Sequence, residues 1–396
     1  MYKRFKIMEI PKTAMILASL AFLSDLSNSI TLPTVPLLAI KLGASYEFIG
    51  IMVAVSALTR LILVQPIGIL CDKINKQFLL MLGFLLFNLN YFMLIIAVKP
   101  FHLLIGRFFQ GVGSAMFYTA ALSLLLISSD KNKGLAVGIY TTMMGIGFSI
   151  GPIIGGIMAE KMSYNLCYIS SMFIALSAII IIFLGLPTEK TSPNELNKQT
   201  KIVEETKYRK LFKNRDLLVT CIGAFFMSEA IGTDMSFFPI YGNNLSLSEK
   251  TIGIILGIRA LFSTLVRIPI GKYSEKIGLK RLMMIALLSA SIGLFLIPQF
   301  SIFWLLTLSI SLEGIGFGVF MTSANIHIGK ITDDKNKGAA IGLYGIFSGL
   351  GSVLNMIILG FIAGAFGVEN TFRFTSAMCF LGFLLLLITI IKIKDN

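Results

Sequence analysis

The sequence predicts an all-α membrane protein with twelve transmembrane helices arranged as two parallel six-helix repeats. Three observations predict this fold: a strongly apolar composition, twelve separate runs long enough to cross a bilayer, and an internal similarity between the two halves. Of the 396 residues, 56% are hydrophobic and 14% are charged. Water-soluble proteins carry roughly 25% charged residues. So much apolar surface requires lipid as the solvent.

Composition also limits the partners and sites that we expect. The formal net charge of +14 would suit a nucleic-acid-binding protein, but basic loops on one side of a membrane explain it equally. We therefore expect no nucleic-acid partner. The cysteines lack the close pairing of a metal site or a disulfide framework; they are Cys71, Cys167, Cys221 and Cys379. We expect no metal and no cofactor.

Twelve apolar runs reach the length of about 20 residues that a membrane-spanning helix needs. The first run contains Asp25 and lacks a small-residue cleavage site, so it is predicted to be a membrane helix and not a removable signal. The predicted spans are residues 13–38, 46–70, 78–98, 101–125, 134–158, 165–187, 217–241, 251–271, 281–299, 302–326, 338–364 and 371–391.

The longest polar interruption divides these spans into six plus six. We predict an N-terminal half at 1–187, a basic cytoplasmic linker at 188–216 and a C-terminal half at 217–396. Lys and Arg are concentrated in the linker, near both termini and in alternate loops, whereas the opposite loops hold few of them. Because basic loops remain in the cytoplasm, we predict a multi-pass protein of the cell membrane with both termini cytoplasmic.

The two halves resemble each other at an offset of about 203 residues. The tripeptide Pro-Ile-Gly occurs at 66–68 and at 269–271, and the pentapeptide Asp-Lys-Asn-Lys-Gly occurs at 130–134 and at 334–338. Each half has an even number of helices, so the two repeats have the same orientation in the membrane. Parallel six-helix repeats place a substrate site between the halves near the midplane of the bilayer.

A loop motif follows the second predicted span and recurs after the eighth. It places an acid between basic residues, a pattern that suits a latch because the acid can pair with a cation or a helix N-terminus and release it as the halves move. Asn75 stands where a glycine is expected, and Asn tolerates the left-handed conformation better than most residues. The latch residues that we predict are Gly68, Asp72, Lys73, Lys76, Gly271, Glu275 and Gly278.

Two further motifs lie inside spans of the first half. The fourth span reads Arg107-Phe-Phe-Gln-Gly-Val-Gly113, and an arginine at this depth normally faces protein or water and has a partner. The fifth span contains a proline that bends the helix among glycines that allow close packing; these residues are Gly147, Gly151, Pro152, Gly155 and Gly156.

Together these segments resemble the signatures of the major facilitator superfamily and, within it, of the twelve-helix drug:proton antiporters, over essentially the whole chain. The resemblance implies that Arg107 takes part in proton coupling and that the latch helps to hold the outward-facing state. It also implies that the segment around Pro152 controls bending between the halves and limits leak. The eleventh span, from Gly349 to Leu354, lacks a Gly-Pro pair, and this asymmetry favours export over symport.

Several acids are embedded in the predicted spans, and intramembrane ionisable groups are candidates for function. Asp25 and Arg107 lie at similar depths, so a pair between them is geometrically possible. Our hypothesis is that Asp25, with Glu229 or Glu313, exchanges protons while substrate competes with the proton. The static ion pair remains an open alternative for each residue. The proton-coupling candidates are Asp25, Arg107, Glu229, Glu313 and Asp234; the further embedded bases are Arg60, Arg259 and Arg267.

The predicted substrate cavity is largely apolar, with a polar face beside Asp25 where Asn28 follows at the helical spacing. Flexible methionines and aromatic residues suit adaptable binding, although such residues also face lipid. The cavity residues that we predict are Asn28, Gln110, Met143, Phe226 and Phe237.

The function that the sequence predicts is secondary active transport: proton-coupled export of drugs or other small amphiphilic compounds by alternating access, with one chain working as a monomer. Export of one specific metabolite or metallophore is the alternative, and an uptake symporter or a sensor without transport stays open. No phosphate-binding loop occurs and no catalytic cluster is apparent, so we predict that the protein is not an enzyme.

Overall fold

The computed structural model describes residues 11–129, 132–186, 211–212, 214–333 and 336–394. The side chains of Asp72, Glu275 and residues 390–394 lie outside that description. The predicted linker at 188–216 and both copies of the pentapeptide repeat therefore fall largely or partly outside the described residues.

The described residues contain 12 helical segments long and apolar enough to cross a membrane. This confirms the predicted fold class, and each predicted span has its counterpart. Numbered in chain order, spans 1 to 12 are Lys12–Lys41, Tyr46–Cys71, Lys76–Ile95, Pro100–Ser128, Lys133–Lys161, Tyr164–Gly185, Arg215–Asn244, Glu249–Ser274, Leu279–Gln299, Phe303–Ile331, Lys337–Phe366 and Glu369–Thr389. The helices of spans 2 and 12 continue as Tyr46–Lys73 and Glu369–Lys394.

Three spans contain more than one helix. Span 1 consists of Lys12–Ile30 and Val35–Lys41, because Pro33 and Pro36 lack the backbone N–H groups that would continue the first helix. Span 8 contains the helix Glu249–Leu265 and the first part of the helix Arg267–Ile277, which continues beyond Ser274, and span 9 ends in a short 3-10 helix at Ile297–Gln299.

The first six and the last six spans pack by the same pattern. Span 1 packs on spans 5 and 6, span 4 on spans 2 and 3, and span 3 on span 6. The same pairings recur with six added to each number: 7 with 11 and 12, 10 with 8 and 9, and 9 with 12. The internal similarity of the sequence therefore corresponds to a repeated helix arrangement.

The two six-span groups meet mainly through span 5 against span 8 and span 2 against span 11. Glycines allow these approaches: a Cβ atom at Gly156 would overlap the backbone of Glu249, and one at Gly360 would contact Tyr46 and Glu47. These contacts lie at the end of the molecule opposite to the termini, which we call the far side.

Toward the termini the same helices separate. On span 5, Gly145 still touches Thr264 of span 8, but a Cβ at Gly138 or at Gly271 would meet no described atom within 4 Å. On the other seam, Gly349 contacts Leu61, whereas Gly345 and Gly342 meet no described atom. The space between the groups is therefore closed on the far side and opens on the side of the termini.

Candidate functional site

Asp25 lies where the two groups begin to separate. The first helix of span 1 ends at Ile30, about five residues beyond Asp25, because the proline-containing turn follows. The Tyr118 hydroxyl of span 4 donates a hydrogen bond to Asp25 Oδ2 at 3.2 Å, and Ser24 Oγ donates to the tyrosine oxygen at 3.4 Å. Gly147 of span 5 allows the helix of Asp25 to approach closely, because a Cβ at Gly147 would lie 2.5 Å from the Phe22 carbonyl oxygen and 3.0 Å from the Leu26 nitrogen.

Two arginines from opposite groups flank this carboxylate. Arg60 of span 2 lies over the Tyr118 ring, with its guanidinium carbon 5.2 Å from the ring centroid. Arg267 begins the second helix of span 8 and donates from Nε to the carbonyl of Ser263 at 3.2 Å. Both arginines interact electrostatically with Asp25. The site therefore combines one acid with two bases that belong to different six-span groups.

Arg107 is buried in span 4 and contacts a side-chain amide. Its Nη1 donates to Gln110 Oε1 at 2.6 Å, and Gln110 Nε2 donates to Asn28 Oδ1 at 3.0 Å. Arg107 is 8% exposed, and its Nε has no hydrogen-bond partner among the described residues. The possible pair between Asp25 and Arg107 is not among the described hydrogen bonds and ion pairs; a chain of amides links Arg107 to span 1.

The second group contains a fully buried cluster of three charged side chains. Arg259 of span 8 donates from Nε to Glu313 Oε2 at 2.7 Å and from Nη2 to Glu313 Oε1 at 2.8 Å. The same Nε lies 3.3 Å from Asp234 Oδ2. None of the three side chains is more than 1% exposed. Two carboxylates share one guanidinium, so one negative charge is unbalanced unless a proton is bound.

Glu229 of span 7 differs from the other embedded acids because it has no counter-charge within ion-pair distance among the described residues. It is 4% exposed, and its Oε2 lacks a hydrogen-bond partner there. Its backbone carbonyl accepts from Asn355 Nδ2 at 3.1 Å and from Thr233 Oγ1 at 2.9 Å. Asp234 follows Glu229 on span 7 and contacts Arg259 instead.

The segment around Pro152 forms the contact surface of span 5 on two sides. A Cβ at Gly151 would overlap the Ser29 side chain, and one at Gly155 would overlap the Ile30 carbonyl of span 1. Gly156 faces the opposite group, where Gly253 of span 8 in turn approaches the Pro152 carbonyl. The predicted bend segment therefore lies against both the helix of Asp25 and the seam between the groups.

Three of the predicted cavity residues differ in their burial and their contacts. Met143 is half-buried in span 5. Phe226 is buried against Gly382 of span 12, and Phe237 is fully buried in span 7. Asn28 and Gln110 are joined to each other as described above. A place for all five in one cavity stays a prediction.

The predicted latch is described only in part, because the side chains of Asp72 and Glu275 lie outside the described residues. Gly68 and Gly271 meet no described atom at their Cβ positions, and Lys73 and Lys76 lie at adjoining helix ends. The left-handed expectation for Asn75 is wrong: its φ is −54°, and its Oδ1 caps span 3 by accepting from Gln77 N at 2.8 Å. In the second copy, Gly278 has a φ of +94°, which favours glycine.

Tyr118 and Tyr140 are site residues that the sequence reasoning missed. Tyr140 of span 5 is 4% exposed, and its hydroxyl has no hydrogen-bond partner among the described residues. It interacts electrostatically with Asp25 and Arg60. Helical spacing held a signal for Tyr118, since it lies three turns beyond Arg107 on the same face of span 4. No sequence signal identified Tyr140, because its hydroxyl becomes a candidate only once the fold relates it to Asp25.

A family profile described as Major Facilitator Superfamily matches the chain twice, at residues 17–243 and 221–395. The chain therefore belongs to the Major Facilitator Superfamily. It is a membrane-embedded transporter of small molecules with multiple spans, as the sequence predicted.

Individual relatives are distant but cover nearly the full length. The chain is 23% identical over 372 residues to an uncharacterized MFS-type transporter of Methanocaldococcus jannaschii, and the alignment covers 93% of this chain and 95% of that protein. It is 26% identical over 392 residues to the multi-drug resistance efflux pump PmrA of Streptococcus pneumoniae, with 94% and 96% coverage. A crystal structure of a variant of the nucleoside transporter NupG superposes with a TM-score of 0.80 at 15% identity, covering 95% of this chain and 99% of that one. The last similarity shows the fold alone.

Proposed function

We propose that this transporter is a proton-coupled exporter of small amphiphilic compounds that works by alternating access. The two six-span groups, with the linker at 188–216 between them, are the moving bodies, and one chain contains the whole pathway. With both termini in the cytoplasm, the opening on the side of the termini faces the cytosol. The described state is then one that can accept a compound from inside the cell.

One observation supports proton coupling most directly. Asp25 lies at the closed end of the opening, against the bend segment of span 5 and between arginines of the two groups. A carboxyl group at this place can hold a proton while the groups move, and a substrate that binds there competes with that proton. The multi-drug efflux named for the Streptococcus pneumoniae relative supports the export direction.

The test is movement of fluorescent dyes into or out of proteoliposomes under an imposed pH gradient. Rhodamine B ethyl ester, rhodamine B and fluorescein represent a cation, a zwitterion and an anion of similar aromatic size. We expect the wild type to move at least one of them against its gradient when protons flow the other way. Asp25→Asn should abolish this coupling, whereas Asp216→Asn, which removes a partly exposed partner of Lys280 at 2.7 Å, should retain it.

Two results would overturn the proposal. One is that no imposed gradient moves any of the dyes, which would revive the sensor alternative. The other is full coupling in Asp25→Asn, which would remove Asp25 from the mechanism. Export of one specific metabolite is the second candidate function, and the two arginines beside Asp25 favour it because they can select for a charged group.

A further inference from the structure

The two arginines lie where the seams between the groups end. On span 2, Arg60 directly precedes Leu61, whose side chain contacts Gly349 of span 11. On span 8, Arg267 follows Thr264, which contacts Gly145 of span 5, by about one turn. Any molecule that reaches the closed end of the opening therefore meets a guanidinium from each group.

Most of the hydrogen-bonding capacity of these arginines is not used by the described residues. An arginine has five N–H donors. Arg60 contacts the Tyr118 ring and makes no hydrogen bond or ion pair to a described residue, while Arg267 makes the single bond to Ser263. By contrast, Arg259 directs its donors at two carboxylates.

A third donor in the same place is unused. The Tyr140 hydroxyl is buried without a partner among the described residues, and a buried hydroxyl left unpaired is destabilising. Tyr140 interacts electrostatically with both Asp25 and Arg60. Donors from spans 2, 5 and 8 thus lie within electrostatic range of one carboxylate, and the described residues supply few acceptors for them.

The signs of these charges restrict the ligand. A simple organic cation that approached Asp25 would also approach two guanidinium groups and be repelled by them. A simple anion would satisfy the arginines but repel the Asp25 carboxylate, so it would bind together with a proton and not in exchange for one. A molecule that carries a cationic group and a carboxylate can displace the proton from Asp25 and supply the missing acceptor.

We propose that Arg60, Arg267 and Tyr140 form a carboxylate-binding subsite beside Asp25, and that the substrates of this exporter are zwitterionic amphiphiles. The cationic group of the substrate pairs with Asp25, the carboxylate with the two arginines, and the aromatic body lies against Tyr118. This inference rests on the proposed function, since it assigns a substrate class to the same site.

The test uses a matched pair of dyes. Rhodamine B and its ethyl ester share one cationic ring system and differ in whether the carboxylate is free. In proteoliposomes with a fixed pH gradient, we expect the wild type to transport rhodamine B with the higher kcat/KM. Because a hydrogen bond to a charged group is worth about 1.5–3 kcal/mol, Arg60→Gln and Arg267→Gln should each lower kcat/KM for rhodamine B roughly 10- to 100-fold and leave the ester within about 2-fold.

Controls separate recognition from folding. Arg373→Gln removes an exposed arginine of span 12 whose Nη1 donates to Asn370 Oδ1 at 3.2 Å, and it should leave the transport of both dyes unchanged. Arg60→Lys and Arg267→Lys keep the charge, and each should retain more of the preference for rhodamine B than the glutamine variant at the same position. Each variant is checked by size-exclusion chromatography, and a ratio of two dyes measured on one preparation does not depend on the amount folded.

The outcomes distinguish the two proposals. If pH-driven transport occurs but the ester moves as well as rhodamine B, or if both glutamine variants keep the wild-type ratio, the zwitterion subsite is wrong and the exporter proposal stands. If neither dye nor fluorescein moves under any gradient, the exporter proposal itself fails.

Discussion

Gln110 and Glu313 occupy corresponding positions of the repeat, and each accepts a hydrogen bond from an embedded arginine of its own group. Glu313 neutralises Arg259 with two short hydrogen bonds, whereas Gln110 offers Arg107 only an amide oxygen. The sequence identified all four as candidates. Arg107 and Gln110 lie three residues apart on span 4, so helical spacing permits their pairing. Arg259 and Glu313 lie on spans 8 and 10, so their pairing depended on which spans became neighbours.

Removing one member of the Arg259 cluster should be costly. Arg259→Leu leaves two carboxylates buried without a cation, and breaking a buried pair in this way costs about 3–5 kcal/mol. We expect a clear fall in the thermal midpoint in detergent. The control is Lys280→Gln, which breaks a partly exposed pair with Asp216 and should cost at most about 1 kcal/mol. Equal loss in both variants would contradict a buried cluster that depends on Arg259.

Tyr118 should influence coupling through its hydroxyl alone. Tyr118→Phe keeps the ring beneath Arg60 and removes the hydrogen bond to Asp25, so we expect about a 10-fold loss of proton-driven transport. The control is Tyr241→Phe, since the Tyr241 ring packs on Phe372 with centroids 5.4 Å apart. Its proton-driven transport should stay within about 2-fold of the wild type. Unchanged coupling in Tyr118→Phe would show that this hydroxyl does not serve the proton site.

At the scale of the helices, the sequence located the spans well but did not predict every break within them. Apolar length alone located all twelve spans, and the two prolines near residue 35 explain the divided span 1. The break in span 8 at Val266 was not predicted, although Pro269 follows within the first turn of the next helix. The first turn of a helix tolerates a proline. The sequence by itself therefore did not decide whether the helix of span 8 would continue through Val266.

The far-side seam should depend on its glycines. Gly253→Val would force a side chain into the Pro152 carbonyl and Gly156, so we expect the far side to open more often. Labelling of a cysteine introduced at residue 249 should then become faster by several-fold. Gly138→Val, in a part of span 5 where no described atom lies within 4 Å, is the matched control. Slower or unchanged labelling in Gly253→Val would contradict the proposed role of this seam.

At the scale of the whole molecule, the repeat predicted the architecture but not its state. Identical pairings within the two groups follow from similar sequences, whereas the side on which the groups meet depends on contacts between them. On the far side Glu160 Oε2 accepts from Lys250 N at 3.2 Å, and Tyr164 donates to Glu249 Oε1 at 3.0 Å. No motif in either half pointed to these residues.

Cross-linking can follow the alternation between states. In a background without the four native cysteines, Glu160→Cys with Lys250→Cys should cross-link readily in the substrate-free protein. Gly138→Cys with Gly271→Cys, on the side of the termini, should do so only when the far side opens. Proton-driven turnover should lower the first yield and raise the second. A pair of yields that rises and falls together would contradict alternating access.

The central claim is that substrate and proton exchange at Asp25, and proton release on binding tests it most directly. Rhodamine B is added to purified protein in weak buffer containing a pH indicator, while binding is followed by fluorescence anisotropy. The account predicts proton release in step with binding for the wild type and binding without release for Asp25→Asn. Binding to the wild type without release, or equal release from Asp25→Asn, would contradict it.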